Sequence, residues 1–245
     1  LWQEVEMIDV DAIYWARRQL KKQLGEVLHD NWIEVYEMLE TAKDSSYTQE
    51  NAGIRKMRSL ALSYLGAARP RQHLESAYRQ FQQARNMTDR IAALSLLSHH
   101  MIPERESAFT QFWEDWGEVF QLRNKWFMLQ ALSDRSDVIE IVQGLLSHPA
   151  FSMKNPNNVR AVIGAFTANA LHFHRMDGAG YRLLTDVILR LNEINPIVAS
   201  RLVGPLTRWQ KHLPARQELM RAELQRIQAL PGLSRDLYEI VEKSL

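Results

Sequence analysis

Eight histidines and no cysteine bound the chemistry open to this chain of 245 residues. A zinc hydrolase needs a His-Glu-x-x-His run on a helix, which sets both imidazoles on one face with the glutamate beside the metal-bound water. No such run occurs. His99-His100 is followed by Met101-Ile102-Pro103, and the proline interrupts any helix there. His172-Phe173-His174 could place two imidazoles on one side of an extended segment; a surface or loop pair is the simpler reading. Without cysteine there is no disulfide, no thiolate nucleophile and no cysteine-based zinc site. The Gly-x-Ser-x-Gly elbow of a nucleophilic serine is absent. Gly178-Ala179-Gly180-Tyr181 follows no strand and lacks the Lys-Ser/Thr of a phosphate loop, so it reads as a turn between helices. Glu104, Glu106 and Glu114-Asp115 read as solvated helix faces. The chain is expected to carry no catalytic residue and no metal ligand of its own.

Two arginines stand out by position. Arg160 lies five residues after Asn155, and Arg201 six after Asn195. Each falls in the second turn of a helix that opens with Asn-Pro. A guanidinium offers paired donors that clamp a carboxylate or carbonyl oxygens. If the two helices are equivalent members of adjacent repeats, both arginines face one cavity. The one-residue offset, about 100° of helix rotation, weakens that equivalence. A solvated or salt-bridged arginine is the alternative at either position.

The elements that would hold these residues are helical. Val138, Ile141, Val142, Leu145 and Leu146 fall on one helix face, as do Leu184, Val187, Ile188 and Leu191. Leu237, Ile240, Val241 and Leu245 repeat the pattern, and Ile54, Met57, Ala61, Tyr64 and Leu65 give an earlier stripe. No sustained period-2 alternation rich in Val, Ile or Thr argues for strands. Breaks are expected at Asp44-Ser45-Ser46, Arg69-Pro70, Asn86 to Asp89, Ile102-Pro103, Ser133 to Ser136, Asn155-Pro156, Asp177-Gly178, Asn195-Pro196, Leu213-Pro214 and Pro231-Gly232. Asparagine accepts the free N–H groups of a first turn, and proline at the first helical position loses no hydrogen bond. Gly178 and Gly232 suit left-handed helix ends. The result is about a dozen short helices in series. The Asn-Pro starts lie 40 residues apart, close to the roughly 40–47 residue period of HEAT and armadillo helix pairs. The expected fold is all-α, a HEAT/armadillo-like helical-repeat superhelix with a concave face; a compact irregular bundle is the alternative. With no low-complexity linker, residues 1–245 read as a single helical domain.

Lys and Arg number 30 against 29 Asp and Glu, giving a net charge of +1. A dedicated nucleic-acid binder carries a marked basic excess, so nucleic acid is not an expected partner. Arg17-Arg18, Lys21-Lys22 and Arg69/Arg71 are small clusters offset by nearby acids. No run approaches the ~18 apolar residues that span a membrane. Trp113, Trp116, Trp126, Phe127 and Met128 read as core. The opening Leu1-Trp2-Gln3-Glu4 is neither a start methionine nor a signal peptide, which suggests a piece of something longer.

Several segments, in order, resemble one family. They are Asn86-Met87-Thr88-Asp89, Lys125-Trp126-Phe127-Met128-Leu129-Gln130, Asn155-Pro156-Asn157-Asn158-Val159-Arg160, Asp177-Gly178-Ala179-Gly180-Tyr181, Asn195 through Leu202 and Leu233 through Glu239. Together they resemble the C-terminal helical domain of bacterial aminopeptidase N, a gluzincin zinc alanyl aminopeptidase. The resemblance covers nearly the whole chain and is strongest from Asn124 onward.

The resemblance implies an N-terminally truncated fragment of a larger multidomain enzyme that removes N-terminal residues from peptides in the cytoplasm. Zinc, its ligands and the amine-binding segment would lie in an earlier catalytic domain, with that domain and the peptide substrate as partners. The chain itself would carry no cofactor. It would close the active-site chamber, with Arg160 and Arg201 pointing at the peptide beyond the scissile bond or at its terminal carboxylate. Ile197 would line the pocket for the first side chain. Relatives can carry a polar residue there, so Ile197 argues against strong acceptance of a basic first residue. A stand-alone α-solenoid that holds a peptide or protein in its groove is the competing reading.

Overall fold

The computed structural model describes residues 6–40, 46 and 48–245. Among these no β-strand occurs, and the only extended pairing is an isolated parallel bridge between Ile8 and His212. The helices are α1 (Val10–Val27), α2 (His29–Glu40), α3 (Gln49–Ala68), α4 (Pro70–Gln83), α5 (Met87–Leu97), α6 (Pro103–Trp116), α7 (Phe120–Ala131) and α8 (Val138–Leu146). They continue with α9 (Pro156–Val159), α10 (Ala165–Ala168), α11 (Ala170–Phe173), α12 (Ala179–Ile194), α13 (Pro196–Leu202), α14 (Gly204–Thr207), α15 (Pro214–Gln228) and α16 (Arg235–Ser244). The expected breaks fall at these joints, and Asp44-Ser45 lies outside the described residues. Gly178 and Gly232 take φ of +70° and +79°.

The residues form two compact units, one of Tyr14–Leu129 and one of Gln130–Leu245 with the described residues up to Ile13. In the first, α2 packs on α3, α4 on α5, and α3 on both α4 and α5. Phe81, Leu94, Leu97, Phe109 and Phe112 fill its core. Trp113, Trp116, Trp126 and Met128 are half-buried and Phe127 is fully buried, as the aromatic stripe implied.

The inward face of α3 differs from expectation. Arg55, Arg58, Ala61, Leu62 and Leu65 are buried, while Met57 is exposed. The cause lies on α5. Arg58 donates to the Asp89 carboxylate at 3.0 Å, and its guanidinium lies 4.9 Å from the Tyr36 ring. Asn86 caps α5 by accepting from the Asp89 N–H and donates its own amide to the same carboxylate. Tyr36 donates to Gln80, whose amide donates to the Asp89 carbonyl. Burial pushes the Tyr36 hydroxyl pKa up, although Arg58 opposes this. A buried charge persists only when paired and hydrogen-bonded, and Asn86-Met87-Thr88-Asp89 supplies that pairing.

In the second unit α12 packs on α13 and α15, and α16 packs on α13 and α15. Leu184, Val187, Ile188 and Leu191 are all buried, as their spacing requires. On α8 the buried face is Val138, Ile139, Val142 and Leu145, slightly rotated from the expected stripe. Gly180 lies so close to Phe173 that a Cβ there would overlap the Phe173 backbone, so the glycine lets α11 and α12 meet.

Candidate functional site

Asn195 and Pro196 set the start of α13. The Asn195 side chain accepts from the Val198 N–H at 3.3 Å, and proline occupies the first turn. Val198, Ala199, Ser200 and Leu202 then turn inward. Ile197 and Arg201, four residues apart, share the opposite, outward face. Ile197 is 58% exposed, and Arg201 is also exposed. An apolar side chain and a cation thus stand side by side on a helix anchored by α12 and α16.

Arg160 is built differently. Asn155 accepts from the Asn157 N–H at 3.0 Å and Pro156 opens α9. Asn158 is buried and accepts from the Ser152 N–H at 3.1 Å, which ties the helix start to the preceding loop. The helix then widens into a π turn over Arg160–Gly164 before continuing as α10. Ala161, Val162 and Ile163 are buried, whereas Arg160 is exposed at the first position of the wide turn. Such single-turn π bulges inside α-helices are frequent at functional sites. The Asn-Pro pattern gave no sign of this one.

The side chains of Arg160 and Arg201 form no hydrogen bond or ion pair with a described residue. Each guanidinium therefore keeps its donors available. A groove of about 550 Å³ on the same unit is lined by Ile139, Gln143, Arg182, Asp186, Glu223 and Arg226, among others, and includes none of Arg160, Ile197 and Arg201. Its own charges are matched: Arg226 pairs with Asp186 and Glu223, and Arg182 donates to the Asp177 carbonyl.

His172 and His174 depart from the extended surface pair expected of them. His172 sits in the short helix α11, and both are buried. His174 shares a hydrogen bond with the Tyr181 hydroxyl at 2.8 Å and stacks on His212 at 4.8 Å. Arg216, also buried, donates to the His174 carbonyl and grips both Asp11 oxygens at 2.8 Å. Burial, with the neighbouring His212 and Arg216 charges, holds the His174 pKa down to about 3. Burial and Arg216 hold His212 down to about 4. This cluster binds the Ile8–Asp11 segment to the start of α15 and is structural. Among the described residues no group of three or more His, Asp or Glu could hold a metal ion, and no helix is long and apolar enough to cross a membrane.

Residues 1–245 match the family model described as "Domain of unknown function (DUF3458_C) ARM repeats". The chain is 39% identical to aminopeptidase N of Haemophilus influenzae over 239 residues, 97% of this chain and 27% of that protein. It is 38% identical to aminopeptidase N of Escherichia coli over 245 residues, 98% of this chain and 28% of that one. A crystal structure of Legionella pneumophila aminopeptidase A in complex with aspartic acid matches with a TM-score of 0.90 at 29% identity, covering 99% of this chain and 29% of that chain. The chain thus spans 27–29% of the length of these relatives. With the helical series and these matches in hand, the chain belongs to the ARM-repeat family DUF3458_C and matches the C-terminal domain of bacterial aminopeptidase N.

Proposed function

We propose that this chain is the capping domain of a cytoplasmic zinc metallo-aminopeptidase that removes N-terminal residues from peptides. Residues 1–245 act as one domain of that polypeptide and close its active-site chamber. Arg160 and Arg201 hold the peptide beyond the scissile bond or by its terminal carboxylate. Ile197 lines the pocket for the first side chain and disfavours a basic one. The catalytic domain of the same polypeptide supplies the zinc and the groups that break the bond. Among the described residues no group of three or more His, Asp or Glu could hold a metal ion; in this reading the part of the chain is binding and enclosure.

The observation that carries this reading is the pair of exposed guanidinium groups, without partners among the described residues, in a chain similar to part of aminopeptidase N. The planar fork of a guanidinium is pre-organised, so less side-chain entropy is lost per hydrogen bond formed when it engages a carboxylate. Fixing the far end of a flexible peptide lowers the entropic cost of reaching reactive geometry. Closing the chamber removes water and strengthens each polar contact inside it.

The test uses the complete enzyme. Arg201→Ala is expected to raise KM for a tripeptide about tenfold, the loss of one charge-assisted hydrogen bond, and to leave KM for alanyl-nitroanilide nearly unchanged. Equal effects on the two substrates contradict the assignment. The isolated chain is expected to hydrolyse neither substrate, with or without added zinc.

A further inference from the structure

In the first unit α2 and α4 each pack on α3, and two side-chain hydrogen bonds join them to one another. Tyr36 donates to Gln80 at 2.7 Å, and the Nε2 atoms of His29 and His73 share a bond at 3.1 Å. Both pairs are 44 residues apart in sequence. The two helices therefore run side by side in the same direction, with the bonds two turns, about 10 Å, apart along each. The Tyr36–Gln80 end is indifferent to acid. The Tyr36 hydroxyl, its pKa raised by burial, keeps its proton throughout the acid range, and the Gln80 amide is held by the Asp89 carbonyl. The histidine end can titrate.

His29 is the first residue of α2 and His73 lies in the first turn of α4. They are 4% and 6% exposed, with ring centroids 5.3 Å apart. Their bond requires one hydrogen between the two Nε2 atoms. A neutral pair supplies it, one ring donating and the other accepting. One added proton is accommodated on an outer Nδ1. A second added proton puts a hydrogen on all four ring nitrogens, so two N–H groups oppose each other with no acceptor between them. The charged groups facing the pair are few. The Asp30 carboxylate lies 3.5 Å from His29 Nδ1 but is fully exposed, so water screens it. Arg69, at the joint of α3 and α4, opposes a positive charge on His73. Among the described residues no hydrogen bond or ion pair reaches the two rings from α1, α3, α5 or α6.

We propose that the His29–His73 bond is a proton-operated latch, which acid opens at the first turns of α2 and α4 while the Tyr36–Gln80 bond holds their other ends. An apolar pair at these positions would join the helices at every pH. Closed, the pair holds at most one added proton, and burial, His29 and Arg69 keep the His73 pKa below its ordinary value. Open, both rings meet water and titrate near their ordinary value of about 6.5. Below that value the open form binds more protons than the closed one, so falling pH favours opening. For a difference of one proton, the opening equilibrium rises about 25-fold between pH 7 and pH 5. The latch is independent of the capping reading, since no step of peptide hydrolysis enters it.

The test is hydrogen exchange of the complete polypeptide at pH 7 and pH 5, followed by mass spectrometry and corrected for the intrinsic exchange rate. Residues 29–35 and 71–76 are expected to open about 25-fold more often at pH 5, whereas residues 36–40 and 80–83 change little. His29→Gln combined with His73→Gln replaces the rings by amides that can still bond to each other and do not titrate, and should remove the difference between the two pH values. The comparison of the two ends in the wild-type protein decides the matter even if that variant folds poorly. An equal rise at both ends, no rise at either, or a rise that persists in the double variant would each overturn the latch.

Discussion

Lowering the pH from 7 to 5 leaves His174 and His212 neutral in the folded chain while both become protonated in the unfolded one. Their folded pKa values, about 3 and about 4, lie below the ordinary value of 6.5. Below 6.5 the unfolded chain binds more protons, so stability falls with pH and levels off only beneath the folded values. At pH 5 the difference is worth about 2 kcal/mol for each imidazole, or about 4 kcal/mol for the pair, most of it lost below pH 7. The loss falls on the contacts that secure α15 and the Ile8–Asp11 segment, because Arg216 bonds the His174 carbonyl and Asp11 together. Urea unfolding followed by circular dichroism at the two pH values measures it. His174→Asn removes one of the two titrations and should flatten the pH dependence by about half, even though it lowers stability at pH 7. An unchanged slope in that variant would refute the reasoning, as would a wild-type protein equally stable at both values. Burial, His29 and Arg69 hold His73 below its ordinary pKa as well, which acts in the same direction on the other unit.

Asp89→Ala removes the partner at 3.0 Å from the buried Arg58 guanidinium and leaves it the half-exposed Glu40 at 3.4 Å and the Tyr36 ring. It should cost about 3 kcal/mol in urea unfolding, the usual penalty for breaking a buried pair. Gly180→Ala drives a methyl into the Phe173 backbone and should cost about 1–3 kcal/mol by overpacking, read as a lower thermal midpoint. A midpoint equal to wild type would show that α11 can move away from α12.

Much of the fold is legible in the residues because its helices are short and amphipathic and their ends are marked by residue type. Pro70, Pro103, Pro156, Pro196 and Pro214 each open a helix, since a missing N–H costs nothing there. The stripe of α12 is legible because all four of its apolar residues are buried on a helix that packs against α13 and α15. The inward face of α3 is not, because Arg58 is buried by a partner 31 residues away, and periodicity records hydrophobicity, not pairing. His174 escapes for the same reason: its partners Tyr181, His212 and Arg216 come from three other segments. At the candidate site, the exposure of Ile197 and Arg201 on one face follows from their spacing of four and from the inward Val198 and Leu202. The π turn at Arg160 has no local signature, because all of Arg160-Ala161-Val162-Ile163-Gly164 is compatible with an ordinary α-helix.

The claim that these arginines handle peptide substrate is tested most directly by a double-mutant cycle in the complete enzyme. Values of kcat/KM are measured for a tripeptide and for alanyl-nitroanilide with Arg160→Ala, Arg201→Ala and both together. If both side chains hold one bound peptide, each single change lowers kcat/KM for the tripeptide, the two effects couple by at least about 0.5 kcal/mol, and the nitroanilide is spared. Tripeptide cleavage at the wild-type rate in the double variant would contradict the account.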